Sequence, residues 1–103
     1  MPAFTKNFTQ LPNSIKDLIQ YAIEKVHPEQ VVLFGSRARG DHREKSDFDI
    51  AMKGSIAPEA WTQLQVELDE KALSLYSVDL VLYQDLGEDY RKNIQVEGKV
   101  IYG

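Results

Sequence analysis

Asp47 and Asp49 stand two residues apart with Phe48 between them. On an extended strand that spacing puts both carboxylates on one face, with Cα atoms about 6.6 Å apart. Two such anions repel each other, and aspartate is a poor strand former, so the pattern works against its own local structure. A divalent cation between the acids removes the repulsion and receives the hard oxygen ligands it prefers. The alternative is an exposed strand face carrying two solvated acids, and Asp-x-Asp alone leaves that open. Upstream, Gly35-Ser36 follows the apolar run Val31-Val32-Leu33-Phe34. Glycine has no Cβ and can approach a ligand closely, while Ser36 offers a hydroxyl and a backbone N–H, so the pair suits a phosphate cradle. Taken alone, such a pair is more often only a turn.

Asp79 is a third acid, near the start of the apolar stretch Val78 to Tyr83. If that strand lies beside the one carrying Asp49, Asp79 can reach the same cations. Three carboxylates, a glycine turn and two adjacent strands are the parts of a two-metal site acting on a phosphate, with ions about 3.5–4 Å apart. Arg37 and Arg39 add guanidinium forks that match phosphate oxygens, although a loop arginine is as often ion-paired or solvated. Four of the twelve Lys and Arg residues fall between Arg37 and Lys45, concentrating positive charge beside the proposed phosphate site of an acidic chain.

The elements that must position these residues are readable from periodicity. Residues 1–12 mix Pro, Thr, Asn and Gln and read as a loosely held lead-in to one domain over 13–103. Ile15, Leu18, Ile19, Ala22 and Val26 predict a helix from Ser14 to Val26, with Asn13 or Ser14 as cap and Pro28 preventing its continuation. Val31 to Phe34 reads as a buried strand, and the polar stretch after it can open with a helical turn. A second strand over Asp47 to Met52 puts Asp47, Asp49 and Ala51 on one face and Phe48, Ile50 and Met52 on the other. Pro58 opens a helix with the stripe Trp61, Leu64, Leu68, Ala72 and Leu75. Val78 to Tyr83 is a third strand, Gly87 to Glu97 a last helix closed by Gly98 as its C′ residue, and Val100-Ile101-Tyr102 a short terminal strand. The order predicts an α/β (α+β) fold: a small mixed sheet flanked by helices.

A chain of 103 residues supports a single core of this kind. With 43% hydrophobic and 27% charged residues it reads as globular. The net charge of −4 argues against a general nucleic-acid binder, so no direct nucleic-acid partner is expected. The absence of cysteine excludes disulfides and thiolate zinc sites. No stretch has the roughly 20 apolar residues of a membrane span, and a cytoplasmic protein without a membrane partner is the expectation. Gly35 to Gly40 has the glycine spacing of a Walker A loop, but Asp41-His42 stands where Lys-Ser/Thr is required. Arg39-Gly40-Asp41 spells an adhesion tripeptide with nothing extracellular around it. His42 reads as a solvated loop residue, His27 as a helix closer, and Trp61 as core or partner surface.

Gly35-Ser36, ten intervening residues, then Asp47-Phe48-Asp49 resembles the signature of the DNA polymerase β-like nucleotidyltransferase superfamily. The fuller run from Phe34 to Gly40, with Ser46 to Ile50, looks like its minimal nucleotidyltransferase (MNT) branch. The resemblance implies that Gly35 and Ser36 contact a nucleoside triphosphate, that Asp47 and Asp49 ligate magnesium, and that Asp79 completes the catalytic metal site. It implies transfer of a nucleoside monophosphate, AMP from ATP, to a hydroxyl, using Mg2+ in two-ion form. Members of the branch commonly pair with a HEPN-domain toxin, whose tyrosine receives the AMP, and act as its antitoxin. A hetero-complex or oligomer is therefore expected to supply the acceptor surface. Two other functions stay open: an antitoxin that only occludes its partner, and a transferase acting on an aminoglycoside-like small molecule.

Overall fold

The computed structural model describes residues 3–41, 43–71 and 75–103, so His42 and Ala72 lie outside the described residues. Its elements run α1 (Lys6–Thr9), α2 (Asn13–Val26), β1 (Gln30–Phe34), α3 (Ser36–Arg39), β2 (Phe48–Lys53), α4 (Pro58–Lys71), β3 (Val78–Leu82), a 3-10 turn (Tyr83–Asp85), α5 (Glu88–Glu97) and β4 (Lys99–Tyr102). The strands form one sheet in the order β3-β2-β1-β4. β1 pairs antiparallel with β2 and β4, whereas β2 and β3 run parallel. A parallel pair needs a long crossover, and α4 provides it.

Alternation along the strands sorts side chains to two faces. Val31, Leu33, Ile50, Met52, Leu80 and Ile101 join Ile15, Ile19, Ala22 and Val26 of α2 and Leu64 of α4 in the main core. Ile15, Ile19, Ile50, Met52 and Leu64 are essentially without solvent contact. Burying each such side chain contributes about 1.5–3 kcal/mol, which accounts for the hold of α2 and α4 on that face. On the other face Val32, Ala51 and Ile94 form a smaller cluster with Phe34, Val81, Tyr83, Leu86 and Val100, so α5 covers only part of the sheet there. Asp49 and Asp79 belong to this thinly covered face. No described helix is long and apolar enough to cross a membrane.

Several expectations change in detail. The segment read as a loosely held lead-in is packed against the sheet: the Thr5 N–H donates to the Ile101 carbonyl at 2.8 Å, and the Gly103 N–H to the Ala3 carbonyl at 3.0 Å. Phe8 and Leu11 are buried, and Phe4 meets Phe8 and Tyr102 at ring separations of 4.1 and 5.1 Å. Three apolar side chains at helical spacing outweigh the polar residues between them. Neither Asn13 nor Ser14 caps α2 through its side chain. Pro12 is the cap residue, and the Ser14 hydroxyl accepts the Leu75 N–H at 3.4 Å. Leu75, expected on the stripe of α4, is 94% exposed beyond the end of that helix. His27 closes α2 in the left-handed conformation, as a helix closer should. Gly98 has ordinary extended dihedrals instead of that conformation. It is glycine for space, because a Cβ there would come within 2.3 Å of the Ile94 carbonyl oxygen and 2.6 Å of Val32 Cγ1.

Candidate active site

The β1 strand ends at Phe34, and the chain turns sharply at Gly35, whose φ of 74° and ψ of −157° fall in a region open essentially to glycine alone. A Cβ at this position would stand 2.3 Å from Asp49 Oδ2. The missing side chain therefore makes room for a carboxylate, a tighter requirement than a turn alone imposes. Ser36 then begins α3, a single turn closed by Gly40 in the left-handed conformation.

Asp49 lies opposite Phe34 on one side and opposite Asp79 on the other. The parallel register that pairs Asp49 with Asp79 also pairs Phe48 with Val78 and Ile50 with Leu80, so both acids point to the α5 face. Asp47 precedes β2, one residue before its first register pair, and is exposed. The Asp49 carboxyl is held above the usual carboxylate range by burial first, then by the charges of Asp79 and Asp47, with Arg39 opposing them.

A cavity of about 470 Å3 opens over these residues, lined by Gly35, Arg39, Asp49 and Asp79 on the sheet side. Leu86, Tyr90, Asn93 and Glu97 close it from the other side. Arg39 Nη1 pairs with Glu97 Oε2 at 3.3 Å, and Nε with Asp41 Oδ2 at 3.2 Å, both exposed contacts. These bonds, Asp41 first, raise the Arg39 pKa further above its ordinary value.

The structure thus brings together Gly35, Arg39, Asp49 and Asp79, with Asp47 close enough to act on Asp49 by charge. Ser36 is adjacent through the chain and half-buried. Arg37, read as a phosphate ligand, is turned to the opposite side of α3. There it lines a separate cleft with Leu33, Phe48 and Lys99. The sequence reading missed Tyr90, Asn93 and Glu97. Their signal is the spacing of three and four along α5, one stripe beside the buried Ile94.

The donor set suits a hard divalent cation: carboxylate oxygens alone, one of them partly desolvated and surrounded by like charge. Among the described residues, no three His, Cys, Asp or Glu side chains already converge as a metal cluster. The acids line an open site in which substrate oxygens would complete the coordination.

The whole chain is similar to known proteins. The family described as "Polymerase beta, Nucleotidyltransferase" matches residues 16–103. A Methanocaldococcus jannaschii protein named "Putative protein adenylyltransferase" is 26% identical over 101 residues, covering 94% of this chain and 96% of that one. The toxin–antitoxin MntA-HpeT, in the crystal structure of a variant, is 30% identical with a TM-score of 0.61, covering 91% of this chain and 74% of that one. A toxin–antitoxin crystal structure with AMP-PNP is 26% identical with a TM-score of 0.57, covering 85% and 69%.

Proposed function

The chain belongs to the polymerase beta nucleotidyltransferase family, and from that premise we propose that it transfers AMP from Mg-ATP to a tyrosine hydroxyl of a HEPN-domain toxin, acting as its antitoxin. The observation that carries the chemistry is the register pairing of Asp49 with Asp79 beside Gly35, at the base of the cavity. The protein partner is favoured by the likeness to a protein adenylyltransferase and to toxin–antitoxin structures, one of them with AMP-PNP.

In this reading Gly35 and Ser36 hold the triphosphate and Arg39 exchanges its carboxylate partners for phosphate oxygens. Asp47, Asp49 and Asp79 would hold magnesium, which when bound neutralises phosphate charge and makes a hydroxyl easier to ionise. Tyr90 supplies an aromatic face and Asn93 an amide on the far wall, groups that suit a purine base. The open side of the cavity admits a tyrosine carried by another protein.

Incubating the protein with its genomic neighbour, magnesium and α-labelled ATP tests this. The expected result is a mass increase of one AMP on a partner tyrosine, lost in the Asp47→Ala, Asp49→Ala double variant. Neutralisation of the partner without label, and unaffected by that variant, would replace transfer by occlusion. Label on an aminoglycoside but not on protein would make it a small-molecule transferase.

A further inference from the structure

Arg37 lies outside the cavity, yet its guanidinium group touches the residues on both sides of Asp47. Its Nε and Nη2 donate to the Ser46 carbonyl oxygen at 3.3 and 3.1 Å, and Nη2 also donates to the Glu44 carbonyl at 2.9 Å. The same group sits 4.2 Å from the centroid of the Phe48 ring and 5.5 Å from that of Tyr76, within cation–π range of both. Those two rings meet edge to face at 5.3 Å.

The flanking backbone has further anchors on each side. The Arg43 N–H donates to the Ser46 hydroxyl at 2.8 Å, and the Ser46 N–H to the Arg43 carbonyl at 3.0 Å. The Phe48 N–H reaches the Ser77 carbonyl at 2.9 Å. Asp47 falls between these anchors, one residue before the first register pair of β2 with β3, so the ladder holds the peptide on its Phe48 side and Arg37 holds the carbonyl on its Ser46 side. The direction of its carboxylate follows from how the peptide groups on either side are held. A planar guanidinium can hold a carbonyl and lie on a ring at once, whereas an ammonium supplies only a point charge.

We propose that Arg37 is a positioning residue for Asp47: by fixing the Ser46 carbonyl and the Phe48 ring it sets how Asp47 presents its carboxylate to a divalent cation. The proposal rests on Asp47 being a metal ligand in the function proposed above. Groups that orient a metal ligand commonly matter tenfold or more to metal affinity without touching the ion.

The test uses Mn2+ as a spectroscopic probe, binding followed by electron paramagnetic resonance with a non-hydrolysable ATP analogue present. Arg37→Lys is expected to weaken Mn2+ binding about tenfold while the analogue alone, without metal, binds as to wild type. Combined with Asp47→Asn, it should add almost nothing to the loss from Asp47→Asn, whereas its effect should multiply with that of Asp79→Asn. Wild-type Mn2+ affinity in Arg37→Lys would overturn the proposal, as would multiplying losses with Asp47→Asn. Weakened metal-free nucleotide binding would also overturn it, by showing a direct phosphate contact. Failure of the wild-type chain itself to bind Mn2+ with nucleotide is a different result, and it would remove the carboxylate assignment underneath. If Arg37→Lys does not fold, Arg37→Gln, which keeps an amide donor for the Ser46 carbonyl, takes its place. Unfolding of both would make Arg37 a determinant of the fold and overturn the proposal.

Discussion

Asp49 and Asp79 face each other across the parallel strands β2 and β3, two carboxylates at one register position on the same side of the sheet. Burial and the neighbouring acids hold the Asp49 carboxyl above the ordinary carboxylate value, and Arg39 only partly offsets them. A protein that needed only stability would not place them so.

That placement has a cost that depends on pH. A carboxyl with a raised folded-state pKa favours the folded protein most below its ordinary value of 3.8. That contribution is lost as pH rises through the raised value, so at neutral pH the ionised Asp49 opposes folding. Asp49→Asn should therefore raise the melting temperature of the ligand-free protein by a few degrees and flatten its fall with rising pH, while abolishing nucleotidyl transfer. A lower melting temperature in the variant, read by circular dichroism from pH 4 to 8, would contradict this.

Gly35→Ala should fail in both respects. The backbone conformation there costs a side-chain-bearing residue about 1–3 kcal/mol, and the added methyl would collide with Asp49 Oδ2. Thermal melting should show the loss of stability, and labelled transfer should fall to background. Adding Asp49→Gly to Gly35→Ala should recover part of the stability and none of the activity.

Glu97 occupies Arg39 with a carboxylate at the rim of the cavity. Under the proposed function, incoming phosphate displaces it and meets its charge. Since the ion pair is exposed, Glu97→Gln should leave stability almost unchanged and tighten ATP binding by roughly two- to fivefold. Isothermal titration with ATP and magnesium measures this. Weaker binding would instead make Glu97 part of the nucleotide's own grip.

Away from the site, the Tyr21 hydroxyl donates to the Glu67 carboxylate, joining α2 to α4. That bond, with burial and the charge of Glu67, pushes the phenol up to about 12, and Tyr21 in turn holds Glu67 below its ordinary value. The Tyr21 contribution to stability is present below the ordinary phenol value of 10 and lost as pH rises through about 12. The Glu67 contribution is present above 4.5 and lost as pH falls through its lowered value. In Tyr21→Phe, ultraviolet titration should lack a phenol ionising near 12, and the melting temperature should drop most between those limits.

Much of this architecture is legible in the sequence. The stripe of α2, the strand ending at Gly35 and the Asp-x-Asp spacing are local patterns, and local patterns carry their own periodicity. The pairing of Asp79 with Asp49 was not legible from the residues, because strand order depends on the α4 crossover and on packing that no single segment states. Arg37 and Arg39 illustrate the same limit. As letters in a polar loop they looked equivalent, and only the turn of α3 assigns Arg39 to the cavity and Arg37 to the far cleft. The packed N-terminal segment was hidden differently: Phe4, Phe8 and Leu11 carried the signal, but the polar residues between them dominated a composition-based reading.

The one-turn helix α3 has a consequence of its own. Two residues separated by one other are rotated about 200° around a helix axis, so a four-residue cylinder serves as a partition with one arginine on each side. Its function lies in phase. An insertion of one residue ahead of Arg37 would turn the pair by about 100° and aim neither guanidinium at its present partners. What this stretch has to keep is its length, and a census of its charges would never reveal that.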